Sequence, residues 1–158
     1  MFNGIIFNTG IVKKVKKEKN SKLIGIKSNL VFKKKDIGSS ICCSGVCLTL
    51  VKINKGLLFF YISNETLKKT NFKQLKIGQI INLEKSLKYG DLVSGNFTQG
   101  HVDTTAKVIL VHVIDKSWLV KLKIGDMKLT KYLIEKASIT INGVSLTISK
   151  VHNNFLYL

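Results

Sequence analysis

The chain has 158 residues and 17.7 kDa, with 45% hydrophobic and 22% charged residues, which suits one ordinary domain or two very small ones and excludes a disordered or fibrous chain. No apolar run approaches the roughly 18–20 residues of a membrane helix, residues 1–10 have neither the charged nor the apolar region of a secretory signal, and three cysteines, two of them adjacent, cannot form a disulfide framework; a protein of the reducing cytoplasm, without a membrane partner, is expected. The net charge of +17 comes from 26 basic residues, every one a lysine, and lysine lacks the planar fork with which arginine reads guanine and clamps phosphate, so the charge is read as compositional and no nucleic-acid partner is expected.

Short runs rich in β-branched and aromatic residues recur between Gly, Asn, Asp and Lys: 10–15, 23–27, 40–53, 57–62, 79–83, 105–114, 118–124, 138–151 and 155–158. Strands at this spacing predict an all-β barrel or sandwich. The lysines at 13–22 and 33–35 lie beside turn-like residues, where they cover wet surface. Asn54-Lys55-Gly56 reads as a hairpin turn, and Asn153-Asn154 occupies the same place later. Residues 64–72 and 127–136 are predicted as short helical turns, too brief to carry the fold.

The chain also resembles itself. A shift of 98 residues lays 41–53 on 139–151, with Gly45, Val46, Leu48, Thr49 and Lys52 meeting Gly143, Val144, Leu146, Thr147 and Lys150. A shift of 96 lays 4–12 on 100–108, beginning Gly4 on Gly100. Two tandem β units are expected: 1–87, a linker at 88–95, and a partial second unit at 96–158. Nothing in the second answers to residues 61–87, so its barrel is expected to carry unpaired edges, through truncation or because a partner supplies the closing strands.

Strand alternation puts Cys47 and Thr49 on one face with Gly45 and Cys43, and Ser145 and Thr147 on the equivalent face with Gly143. Each copy thus offers a nucleophile-type side chain beside a hydroxyl, with a glycine where a flat ligand can approach the backbone. Small buried side chains and satisfied hydroxyls are the plain alternative for each residue taken singly. Cys42 and Cys43 point oppositely and no CxxC spacing exists, so no metal site is expected. His101 shares a face with Asp103, either as an oriented imidazole or as a solvated pair; His112 and His152 have nothing to recommend them, and Lys136 reads by default as a surface lysine.

The opening Met1-Phe2-Asn3-Gly4-Ile5, the Gly45-Val46-Cys47-Leu48-Thr49 strand, Asn64-Glu65-Thr66-Leu67, Gly100-His101 followed by Thr104-Thr105-Ala106, and Asn142-Gly143-Val144-Ser145-Leu146-Thr147 together resemble the alpha-type riboflavin synthase family. The resemblance implies two tandem six-stranded Greek-key barrels, the second incomplete here, and a homo-oligomer: the family trimer, or a dimer where the family's C-terminal helix is lacking. It also implies a cofactor-free dismutation of two 6,7-dimethyl-8-ribityllumazine molecules to riboflavin and 5-amino-6-ribitylaminouracil. By resemblance the first barrel's pocket would use Gly4, Ile5, Ile6, Cys47, Leu48, Thr49, Tyr61, Ile62, Ser63, Asn64, Glu65 and Thr66. The second barrel's would use Gly100, His101, Val102, Lys136, Ser145, Leu146 and Thr147. The catalytic roles fall to Cys47, His101, Ser145 and Thr147. Asn3 stands where the family usually has Thr, and Ser44 where Asn is common. Two alternatives differ in kind: a non-catalytic lumazine-binding protein of the same fold, which would lose the polar positions that Cys47, His101 and Ser145 keep here, and a basic RNA-binding barrel, whose interleaved lysines and aromatics are not found.

Overall fold

A computed structural model describes residues 1–158. Its first six strands are β1 (Asn8–Glu18), β2 (Ser21–Ser28), β3 (Ser40–Cys43), β4 (Val46–Asn54), β5 (Leu57–Ile62) and β6 (Ile80–Lys85). They close into an all-antiparallel barrel in the order β1-β2-β5-β4-β3-β6. Closure removes every free edge. The interior is a cluster of buried side chains that includes Val12, Ile24, Ile26, Leu50, Phe60, Ile62 and Leu83. The alternating pattern of β6, with Ile81 and Leu83 buried and Asn82 and Glu84 turned outward, is the period of two that a sheet with one dry face demands.

Between β5 and β6 a short helix α1 (Asn64–Lys69) begins with Ser63, whose Oγ accepts the Thr66 N–H at 3.2 Å as an N-cap. A 3-10 turn over Asn71–Gln74 follows, and its Phe72, with Leu75, plugs the end of the barrel. The run 40–53, read from sequence as one stretch, is a hairpin. Ser44 (φ 45°) and Gly45 (φ 87°) make a two-residue turn with both central residues in the left-handed region, the backbone that matches the twist of the flanking strands.

The second unit repeats this plan. Its strands are β7 (Ala106–Ile114), β8 (Ser117–Ile124), β9 (Ser138–Ile141), β10 (Val144–Thr147), β11 (Lys150–His152) and β12 (Phe155–Tyr157). They form a four-stranded sheet β11-β12-β8-β7 and the hairpin β10-β9. At the repeat offset β7, β8, β12 and β9 answer to β1, β2, β5 and β3. The single strand β4, which bulges between Leu50 and Lys52, is answered by β10 and β11 with Ile148 and Ser149 between them. A bulge at Val12/Lys14 in β1 recurs at Val108/Leu110 in β7. No strand of this chain takes the place of β6, so β7 pairs with β8 alone and lies exposed along its length. The core of this unit is small: Leu122, Ile124, Ile148 and Leu156.

The two units meet at their tight turns. The backbone of Gly45 lies so close to that of Gly143 that a Cβ on either would stand 3.0 Å from the other's nitrogen. Asn82 of β6 donates its side-chain amide to the Asn142 carbonyl at 3.0 Å. Residues 1–7 and 96–103 cross here as an antiparallel pair, with Phe2 and Thr98 exchanging N–H···O bonds of 2.8 and 2.9 Å. The Thr98 and Thr140 hydroxyls are 2.9 Å apart.

The unequal cores give a direct expectation. Phe60→Ala, at a fully buried site of the closed barrel, should cost about 3–5 kcal/mol in urea unfolding. Val108→Ala, in the exposed strand β7, should change stability by no more than about 0.5 kcal/mol.

Candidate functional site

The motif strands β4 and β10 bring their glycine, thiol and hydroxyl positions to the surface where the units meet. In β4 the burial alternates, with Val46, Leu48 and Leu50 in the barrel and Cys47 and Thr49 turned out. Cys47 therefore shares its face with its cross-strand partner Cys42, while Cys43 pairs with Val46 and joins the core. This corrects the expected grouping of Cys47 with Cys43. A two-residue turn sets 43 opposite 46, so counting by twos through the turn swaps the faces. Leu48 and Ile62 also send their side chains into the first core, leaving only backbone for a ligand.

The crossing of residues 1–7 and 96–103 corrects a second expectation, that each copy's leading glycine serves its own copy's motif strand. Gly100 lies on β4: its carbonyl accepts the Cys47 N–H at 2.8 Å, and a Cβ placed on it would meet the Cys47 Cβ at 2.8 Å. Gly4 lies on β10: its carbonyl accepts the Ser145 N–H at 2.8 Å, and a Cβ there would meet the Ser145 Cβ at 2.8 Å. Both glycines have positive φ, 74° for Gly4 and 80° for Gly100, so the close approach and the backbone angle each require glycine. Val102, next along, packs on the first barrel's core. The structure thus holds two related seats: Cys47 and Thr49 with Gly100, His101 and Val102, and Ser145 and Thr147 with Gly4, Ile5 and Ile6. Sequence similarity pairs equivalent residues and is blind to which copy a segment packs against.

The two seats differ in chemistry. Ser145 Oγ accepts from Asn96 Nδ2 at 2.7 Å. Cys47, at the matching position, is half-buried and free. His101 and Asp103 are both exposed and share no hydrogen bond, so of the two readings of this pair the structure matches the solvated one. The register that pairs Leu50 with Phe60 puts Thr49 level with Tyr61, and both are exposed. Tyr61 donates its hydroxyl to Ser21 at 2.7 Å. With Ser63, Asn64 and residues 18–21 it lines a hollow of about 420 Å³. Asn64, Leu67 and Lys68 of α1 also border a broad cleft of about 1380 Å³ between the units, rimmed by Lys107 and Lys123. Glu65 is exposed and Thr66 half-buried beside them. Lys136, at a positive φ of 69°, binds the Ile148 carbonyl through its backbone N–H at 2.8 Å, and the residue is exposed. No group of three metal-ligating side chains occurs.

Sequence reasoning missed three residues that hold this surface together: Asn82, Glu84 and Asn96. The two carboxylate oxygens of Glu84 accept the Asn3 and Gly4 N–H groups at 2.6 and 3.0 Å. The available signal was an outward carboxylate on a strand of a chain with only nine acidic residues.

Burial pushes the Cys42 thiol from an ordinary value of 9.0 up to about 12, with the nearby Glu84 charge adding to the rise and a Gly45 backbone hydrogen bond opposing it; complete burial raises Cys43 as well. Both stay protonated in the folded protein where the unfolded chain would ionise. The unfolded state then binds fewer protons, so stability falls as pH rises from about 9 toward 12. Urea unfolding of the parent and of Cys42→Ala at stepped alkaline pH should show the steeper loss in the parent. At neutral pH, iodoacetamide should label Cys47 well before Cys42 or Cys43, read by peptide mass mapping.

Comparison with known proteins agrees with this architecture. The Lumazine binding domain family matches twice, at residues 3–86 and 99–157. The riboflavin synthase of Buchnera aphidicola subsp. Schizaphis graminum is 36% identical over 98% of this chain and 74% of its own length. That of Bacillus subtilis is 36% identical over 94% and 68%, and that of Chlamydia muridarum 39% identical over 98% and 75%. Among solved structures, LumP complexed with riboflavin superposes with a TM-score of 0.87 at 27% identity, over all of this chain and 85% of LumP. LumP complexed with 6,7-dimethyl-8-(1'-D-ribityl) lumazine gives 0.83 at 28% identity over the same shares. With a doubled lumazine-binding domain and relatives of this identity along nearly its whole length, the chain belongs to the riboflavin synthase family.

Proposed function

We propose that this chain is a riboflavin synthase that transfers a four-carbon unit between two molecules of 6,7-dimethyl-8-ribityllumazine, giving riboflavin and 5-amino-6-ribitylaminouracil. The observation that carries this reading is the pair of related but chemically distinct seats, one around Cys47 and Gly100, the other around Ser145 and Gly4. Two identical substrates with opposite roles, donor and acceptor, need two pockets alike in shape and unlike in side chain. The transfer moves carbon between like molecules with no net oxidation, so it calls for no cofactor.

In the proposed chemistry a proton leaves the acidic 7-methyl group of one lumazine, and a nucleophile adds at C7 of the other. Cys47, or a water held beside it, adds to the acceptor. Ser145 and Thr147 polarise the donor ring, and the exposed His101 carries protons. Gly4 and Gly100, without side chains, let their segments pack directly on Ser145 and Cys47 and so bring both sides of each seat together, while Tyr61, Ser63, Asn64, Glu65 and Thr66 offer hydroxyl, amide and carboxylate groups to a ribityl chain. Holding two rings face to face supplies much of the acceleration. In a single chain both seats belong to one body, so the reacting pair is proposed to form in a homo-oligomer, with the Cys47 seat of one protomer facing the Ser145 seat of its partner. The three free cysteines fit work in a reducing cytoplasm.

Incubating the purified chain with the lumazine should yield riboflavin, followed by its absorbance. Cys47→Ala and Ser145→Ala should each slow turnover by about 100-fold or more, with His112→Ala unchanged. Gly100→Ala should weaken ligand at the Cys47 seat and Gly4→Ala at the Ser145 seat. Lumazine binding without riboflavin formation by the parent would replace the synthase reading with that of a non-catalytic binder.

A further inference from the structure

The Ser145 seat is built largely from outside its own β unit, and its geometry depends on two side chains that face no ligand in the scheme above. Glu84 projects from β6 of the first barrel. Its two oxygens take the N–H groups of Asn3 and Gly4, at 2.6 and 3.0 Å, and so fasten the segment that carries the Gly4 carbonyl to Ser145. A carboxylate offers acceptors only, and two charge-assisted bonds to adjacent amides fix both the position and the tilt of that peptide. Asn96 sits on the crossing segment. Its backbone N–H binds the Asn3 carbonyl at 2.9 Å, and its side-chain amide donates to Ser145 Oγ at 2.7 Å.

A hydroxyl that already accepts one hydrogen bond has its own proton left to donate. Cys47 receives no such side-chain bond, and no carboxylate clamps the Gly100 amide, so the two seats are set differently. We infer that Glu84 and Asn96 are positioning residues of the Ser145 seat: Glu84 holds Gly4 against the Ser145 backbone, and Asn96 turns the Ser145 hydroxyl proton toward the ligand. This rests on the proposed lumazine chemistry for its ligand, and on the hydrogen-bond geometry alone for its structural half.

The two halves are tested together on the full chain. Hydrogen–deuterium exchange reads the structural half: Glu84→Gln replaces one acceptor with a donor facing an N–H, and should speed exchange of the Ser145 amide about tenfold while leaving the Cys47 amide unchanged. Fluorescence titration with 6,7-dimethyl-8-ribityllumazine reads the other half. Glu84→Gln should weaken one of two binding events about tenfold and spare the other. Asn96→Asp, which draws the Ser145 proton to itself, should weaken that same event more than Asn96→Ala does, and neither change should matter in a Ser145→Ala background. A merely structural role for Asn96 would not produce that order or that dependence. Equal weakening of both events, an unchanged Ser145 amide in Glu84→Gln, or an Asn96→Asp effect that persists without Ser145 overturns the inference. A parent chain that binds no lumazine removes the synthase reading instead, and the exchange rates then decide the role of Glu84 by themselves.

Discussion

Two backbone hydrogen bonds, from Cys47 to the Gly100 carbonyl and from Ser145 to the Gly4 carbonyl, both 2.8 Å long, join the repeated units at their motif strands. Neither bond lies within a sheet. Each ties the outer face of a motif strand to a glycine in a segment that has left its own unit and crossed to the other. The bonds can form only because those glycines take a positive φ and present no Cβ where the strand stands less than 3 Å away. A side chain on either glycine would push its segment off the strand it rests on and disturb that seat.

From this constraint the asymmetry of the molecule follows. The crossing makes each seat a joint product of two units, so the well-packed first barrel stiffens both. It supplies β4 to one seat directly and, through Asn82 and Glu84 on the outer face of β6, anchors the turn and the leading segment that form the other. Closing six strands around a large apolar interior gives the rigidity on which sub-ångström placement of side chains depends. The second unit, with a core of four buried side chains and an exposed β7, takes part of its order from that contact.

The buried cysteines illustrate the same division of labour. Three thiols lie within six residues of sequence, yet burial raises Cys42 and Cys43 out of the range where a thiolate forms, while Cys47 faces outward. A hairpin turn of two residues sends 43 and 46 inward together, and Cys42, on the same face as Cys47, is covered where the second unit's Gly143 packs on it. The lysine excess has no comparable structural focus. Most of it lies on exposed strand and loop positions, and Lys22, which reaches back to the Phe72 and Lys73 carbonyls, is among the few with a fixed internal partner.

Much of this was legible in the amino-acid order. The runs of β-branched and aromatic residues, the Asn54-Lys55-Gly56 and Asn153-Asn154 turns, the repeat at 96–98 residues and the short helical turn after Ser63 are local patterns, and local patterns determine strand, turn and repeat because backbone sterics and the period of two act over a few residues. The motif residues Cys47, Thr49, Ser145 and Thr147 stood out for the same reason. What tertiary structure alone decided was partnership: that Gly4 rests on Ser145 and Gly100 on Cys47, that Cys43 faces the first barrel's core while Cys42 faces the contact between the units, and that Glu84 and Asn96 bond to the Gly4 segment and to Ser145. Those facts depend on which surfaces meet across long stretches of chain or on the reversal at a single turn, and no short-range pattern records where a segment goes once it leaves its own sheet.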